Sequence, residues 1–238
     1  MTSARSEPKR NRTRRQTAES SGCLSGFLLP PLAALCVSAL LVTFVAGFAN
    51  PLAGPVSAQA VPQAAPIPAA NSGALSALFT PEIQFWAASL RHWAADNNVD
   101  VNLAATVMQI ESCGNPAARS SAGAIGLFQV MPFHFYSSDN AYDPDTNAQR
   151  GLAYLRRSFE AAAGDARLAL AGYNGGIGVI GRGEWAWPAE TIRYVHWGYP
   201  IYTDAQQNAS QSEGMDAWLT ATGGSLCRRA RQQLGISP

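Results

Sequence analysis

The stretch VNLAATVMQIESCGNP, residues 101–116, decides the reading of this chain. From Val101 to Glu111 it is apolar with helical spacing: Leu103, Val107 and Ile110 share one stripe, and Ala104, Met108 and Glu111 lie beside it. Glu111 therefore projects from the edge of an apolar face. A carboxylate there pays a desolvation cost, which raises its pKa toward the range of a general acid at neutral pH. A helix-end Glu pointing into water is the plainer alternative. Ser112-Cys113-Gly114-Asn115-Pro116 then closes the helix with a turn, and Ser112 and Asn115 read as fixing that turn.

Outward from this stretch the pattern stays helical. Thr80-Pro81-Glu82 is a start signal, with a capping hydroxyl and proline at the first helical position. Ile83, Trp86, Leu90 and Trp93 follow at helical spacing up to Asp96-Asn97-Asn98, and the next helix opens near Asn102. Helices are also expected over Thr146–Ala162, Ala166–Tyr173, Ser212–Thr220 and Leu226–Leu234. No alternating strand pattern runs beyond a few residues, so the class is mainly α.

The formal net charge of +1 over 238 residues hides an asymmetry. Before Phe27 there are six basic residues against two acidic ones, from Phe27 to Gly73 none, and from Ala74 onward 11 basic against 14 acidic. A mildly acidic globular part lacks the basic footprint of a nucleic-acid-binding domain. The 23 uncharged residues Phe27–Ala49 can span a bilayer, and the basic residues before them would keep the N-terminus in the cytoplasm. Ala58-Gln59-Ala60 offers a rival reading as a signal-peptidase site, although it lies well beyond the apolar run. The reading favours an uncleaved anchor, and either way the domain is exported. The expected organisation is a basic cytoplasmic segment (1–26), a transmembrane or signal-anchor helix (27–49), a Pro/Ala-rich linker (50–74), a catalytic domain (75–203) and a helical extension (204–238).

Cys113 and Cys227 are the two cysteines of the exported part, and an oxidising compartment favours a disulfide between them over two buried free thiols. His92, His134 and His196 are scattered, so no metal site is expected, and no cofactor is implied.

Four blocks follow one another: Glu111-Ser112-Cys113-Gly114-Asn115-Pro116; Ser120-Ser121-Ala122-Gly123-Ala124-Ile125-Gly126-Leu127-Phe128-Gln129-Val130-Met131-Pro132; Ala171-Gly172-Tyr173-Asn174-Gly175-Gly176; and Glu190-Thr191-Ile192-Arg193-Tyr194-Val195. Tyr142-Asp143-Pro144 leads into a helix carrying Asn147, Gly151, Tyr154 and Leu155 between them. In order and spacing the series resembles the catalytic domain of lytic transglycosylases of the soluble-lytic-transglycosylase (SLT) type, over roughly Ile83 to Tyr199. The resemblance implies a single goose-lysozyme-like globular domain with a cleft for peptidoglycan glycan strands, and puts its one catalytic carboxyl on Glu111. It implies further that Ser120, Gln129, Met131, Tyr173, Asn174, Glu190 and Tyr194 bind substrate, with Met131 an apolar floor and Glu190 orienting Tyr194 or other polar groups. Gly123 and Gly126 would let the backbone approach a sugar. A goose-type lysozyme hydrolysing the same bond, and a catalytically silent glycan-binding module, remain alternatives. The sequence places this activity in the bacterial cell envelope, membrane-anchored outside the cytoplasmic membrane, or secreted after cleavage near Ala60.

Overall fold

The computed structural model describes residues 73–237. Eight α-helices order that part: α1 (Pro81–Phe85), α2 (Ala87–Asp96), α3 (Val101–Ser112), α4 (Pro144–Ala161), α5 (Ala166–Gly175), α6 (Ala189–Gln206), α7 (Glu213–Trp218) and α8 (Gly224–Leu234). A single π-helical stretch, Leu219–Gly223, joins the last two. Extended pairing among the described residues is limited to two isolated bridges, Arg119 with Ile125 and Ile125 with Val130. The expected anchor over 27–49, the basic segment and all but the end of the linker lie outside the described residues. Among those described, no helix is long and apolar enough to cross a membrane.

Helix α3 is the axis of the domain. Every residue from Val101 to Gln109 is buried, as a helix without a broad polar face requires. Asp100 caps it by accepting from the backbone N–H groups of Asn102 and Leu103. α1, α2, α6 and α8 pack around it, while α4 and α5 pair and lean on α2 and α6. Two expectations shift here. The helix read as continuous from Ile83 breaks at Trp86, whose indole N–H donates to the Gly114 carbonyl at 2.9 Å. Thr80 does precede the helix, but its hydroxyl donates to Gln109 Oε1 at 3.1 Å instead of capping it.

The loop between α3 and α4 carries the second sequence block, and Asn147 of α4 holds it. That wholly buried side chain accepts from Phe128 N–H and donates to the carbonyls of Ile125 and Ala141. Gly126, with φ +75°, leaves room for it: a Cβ there would stand 2.7 Å from Asn147 Cγ. Gly126 is thus needed for packing against α4, a reason the sequence did not show. Gly126→Ala should cost about 2 kcal/mol or more, through both the clash and the left-handed backbone. A thermal melt checks this, and an unchanged midpoint would remove Asn147 from its role as the loop's anchor.

The extension after 203 is part of the same body. The boundary expected there falls inside α6, which continues through Gly198 and Pro200 to Gln206. α8 packs on α1 and α3 and brings Cys227 to Cys113, where the two form a disulfide with a Cα–Cα distance of 5.0 Å. Cys113 is the C-cap of α3 and takes the left-handed conformation (φ +53°) usually given to glycine. Beside the disulfide, the fully buried carboxylate of Glu82 on α1 pairs with Arg231 of α8 at 2.6 Å. Glu82, Cys113 and Cys227 converge closely. With both sulfurs joined to each other, no thiolate is there to ligate a metal.

Candidate active site

The C-terminal turn of α3 delivers Glu111 to the floor of an open cleft of about 220 Å³. Ser120, Gln129 and Met131 of the loop, Tyr173 and Asn174 of α5 and Glu190 of α6 line the same cleft. Four segments far apart in sequence therefore meet around one carboxyl group. The turn that follows Glu111 is fixed from both sides. Ser112 Oγ donates to the Leu127 carbonyl at 2.7 Å and accepts from Gly114 N–H, and Asn115 accepts from Ala117 N–H.

Glu111 keeps partial access to the cleft, yet its surroundings remove most of the water a carboxylate needs. Its pKa is raised from an ordinary 4.5 to about 8, chiefly by desolvation, with the Tyr194 hydroxyl opposing the shift and the nearby Glu190 charge adding to it. At pH 7 the group is mainly the neutral acid. Reactions that need this proton should run at full rate below pH 8 and fall about tenfold per pH unit above it. The same shift bears on stability. The folded state holds a proton that the unfolded chain releases near pH 4.5, so this group's contribution is full below 4.5 and is lost as pH rises through 8. A pH profile of kcat/KM with its descending limb near 5 would contradict this assignment.

The polar groups around the acid are partly committed. Tyr173 donates its hydroxyl to the Phe128 carbonyl at 2.7 Å, and burial beside Glu111 pushes that phenol well above its usual range. Asn174 Oδ1 accepts from the buried hydroxyl of Thr191 at 2.8 Å, which leaves its amide N–H₂ for a ligand. Ser120 Oγ accepts from Ala124 N–H, holding the loop. Gln129 has φ +45° and spends its N–H₂ on the carbonyls of Ala118 and Gly126, so its carbonyl oxygen remains. A non-glycine residue strained in this way at a cleft wall costs about 1 kcal/mol or more, and the surrounding bonds hold it.

Tyr194 departs from the sequence expectation. It is buried behind Glu111 and does not line the cleft. Its hydroxyl makes no completed hydrogen bond, though it faces the Glu111 carboxyl closely enough to favour the ionised form. In this position its hydroxyl is set toward the Glu111 carboxyl. Glu190 is exposed on the cleft rim.

Sequence reading missed several members. Gly151 and Tyr154, named in the sequence series without a site role, also line the cleft, at a helical interval from Asn147 on one face of α4, and that periodicity was a usable signal. His134 lines it too, from a one-turn 3-10 helix where no pattern marks it. Burial and the Arg157 charge lower its pKa, so its imidazole is neutral at pH 7. The aromatic residues after the third block divide: Trp187 is core and donates to the Val179 carbonyl, whereas Trp185 is 90% exposed.

Residues 89–186 match the family described as Transglycosylase SLT domain. The chain is 39% identical over 114 residues to a transglycosylase of Enterobacteria phage PRD1, covering 47% of this chain and 40% of the phage protein. It is 36% identical over 70 residues to a membrane-bound lytic murein transglycosylase E of Buchnera aphidicola, covering 24% of this chain and 32% of the other. It thus spans less than half the length of each relative. A solved structure of the lytic transglycosylase Slt from Pseudomonas aeruginosa aligns at 25% identity with a TM-score of 0.43, over 52% of this chain and 24% of that one.

Proposed function

We propose that this chain is a peptidoglycan lytic transglycosylase with a lysozyme-like catalytic domain. The observation that carries the reading is the position of Glu111: an acid protonated at neutral pH, at the floor of an open cleft, within the SLT segment. In this mechanism Glu111 donates its proton to the glycosidic oxygen between N-acetylmuramic acid and N-acetylglucosamine, and the bond to the anomeric carbon breaks. The carboxylate left behind is favoured by the Tyr194 hydroxyl, while its desolvated surroundings make it a stronger base. It then takes the proton of the muramic C6 hydroxyl, whose oxygen closes on the anomeric carbon. The product is a 1,6-anhydro end, no water is consumed, and Glu111 returns to its protonated form. The substrate's own hydroxyl replaces the second carboxylate that glycosidases normally use.

In the same proposal the free amide of Asn174 and the carbonyl of Gln129 read N-acetyl groups, and Met131 lies under a sugar face. Tyr173 and Ser120 position the walls by their backbone bonds, and Glu190 acts through its charge on Glu111. The substrate partner is the glycan strand of peptidoglycan. The apolar run 27–49 anchors the chain in the membrane with the domain outside, and an exported location agrees with the Cys113–Cys227 disulfide. Mass spectrometry of muropeptides released from purified cell wall tests the reaction. Anhydromuramic ends are expected. Reducing ends in their place would mean hydrolysis, as in a goose-type lysozyme, and binding without release would mean a silent module.

A further inference from the structure

A second cavity, of about 570 Å³, opens beside the cleft, and His134 belongs to the walls of both. A chain of rings connects them. Phe133 meets His134 at 4.5 Å between centroids, His134 meets Tyr154 at 4.8 Å, and Tyr154 meets Tyr173 at 5.7 Å, next to Glu111. At the outer end Phe133 is 75% exposed, and Tyr136, 69% exposed, carries the Arg150 guanidinium 4.1 Å over its ring.

Three arginines stand in this second cavity, and their commitments differ. Arg150 is tied through two nitrogens to the carboxylate of Asp139. Arg156 binds Glu160 and the carbonyl of Asn98. Arg157 has no carboxylate partner among the described residues; its guanidinium lies 5.3 Å from the centre of the Tyr154 ring, the same ring that walls the cleft. One uncommitted guanidinium, placed by a ring shared with the sugar site, is a receptor for one carboxylate.

We infer that this cavity is a subsite for the acidic stem peptide carried by the muramic acid residue in the cleft. The inference rests on the proposal that the substrate is a peptidoglycan glycan strand. Each muramic residue bears a lactyl-linked peptide with free carboxylates, and a strand lying over Glu111 has to lead that peptide out of the cleft. The opening past His134 supplies a route. Arg157 takes a carboxylate at its end, and the exposed ring of Phe133 covers the peptide's methyl groups.

The test compares peptide-bearing glycan strands with the same strands stripped of peptide by an amidase. Both are free of phosphate-containing wall polymers. Binding is measured by calorimetry on the Glu111→Gln protein with and without Arg157→Gln, Arg157→Lys or Phe133→Ala. Arg157→Gln should weaken binding of peptide-bearing strands about three- to tenfold and shift stripped strands less than twofold, and Arg157→Lys should recover much of the loss. Phe133→Ala should act in the same direction. Equal weakening on both strands would assign Arg157 to the sugars and overturn the inference, as would no weakening on either. Failure of the wild type to cleave any strand would overturn the proposed reaction while leaving this binding preference as a separate reading of the cavity.

Discussion

Glu111→Gln should lower the rate of anhydromuramic product release by about a thousandfold or more while leaving the fold intact. The amide keeps the size and shape of the carboxyl group, so α3 and its buried face are undisturbed. It cannot give up a proton to the leaving oxygen, however, nor take one from the C6 hydroxyl. Both halves of the reaction lose the same group. Glu190, the other carboxyl group of this cleft, is exposed on its rim and does not occupy the position of Glu111. Removing a buried acid also removes the cost of ionising it at alkaline pH. The variant should therefore be no less stable than the parent above pH 8. A muropeptide digest with both proteins, followed by thermal melts at pH 6 and 9, gives the answer. Equal anhydro product from the two would move the acid elsewhere.

The second large effect is expected from the disulfide. Cys113 and Cys227 are 114 residues apart, and closing so long a loop removes much of the unfolded chain's freedom. Its loss should cost roughly 2–5 kcal/mol, a fall in melting temperature on the order of 10 °C. The effect should reach the site as well. Cys113 lies two positions beyond Glu111, at a left-handed cap that only the surrounding bonds keep in place. Gln109, wholly buried, sets its amide 3.1 Å from Cys113 Sγ and accepts from Thr80 with its oxygen, so α1, α3 and α8 share one junction. Cys227→Ser should thus lower both stability and kcat at temperatures well below the midpoint. Reductant should reproduce the loss in the parent and add nothing to the variant. If reduced and oxidised proteins melt within a degree or two of one another, the Glu82–Arg231 pair and the apolar packing already hold α8 unaided.

Much of this was visible in the order of residues, and the parts that were not have physical reasons. The apolar stripe of α3, the start of α4 at Pro144 and the placement of Glu111 at an apolar edge follow from period and capping chemistry, both of which are local. Helix α6 was not among the helices expected from sequence. Gly198 and Pro200 look like a stop, but the helix runs on because its buried residues, Val195, Ile201 and Ala205 among them, pack into the core. Trp86 read as one more residue of an apolar stripe. In the fold it interrupts the helix, where its indole serves the catalytic turn. Gly126 has a packing need that is invisible until its neighbour, Asn147, is known. Tyr194 likewise could be grouped with the site by motif, yet only tertiary packing shows that it stands behind the acid. Local chemistry identified who belongs near the cleft; long-range packing decided which way each one faces.

The disulfide also imposes an order in time. The turn that carries Glu111 is synthesised long before α8, and its covalent brace cannot close until the chain has been made through Cys227. While the chain is still growing, the acid sits on a helix whose end has neither its sulfur tether nor the Arg231 partner for Glu82. The finished site is therefore a late event in the making of this protein: under the proposed function, the power to cut the surrounding wall becomes complete only once the chain has passed through α8.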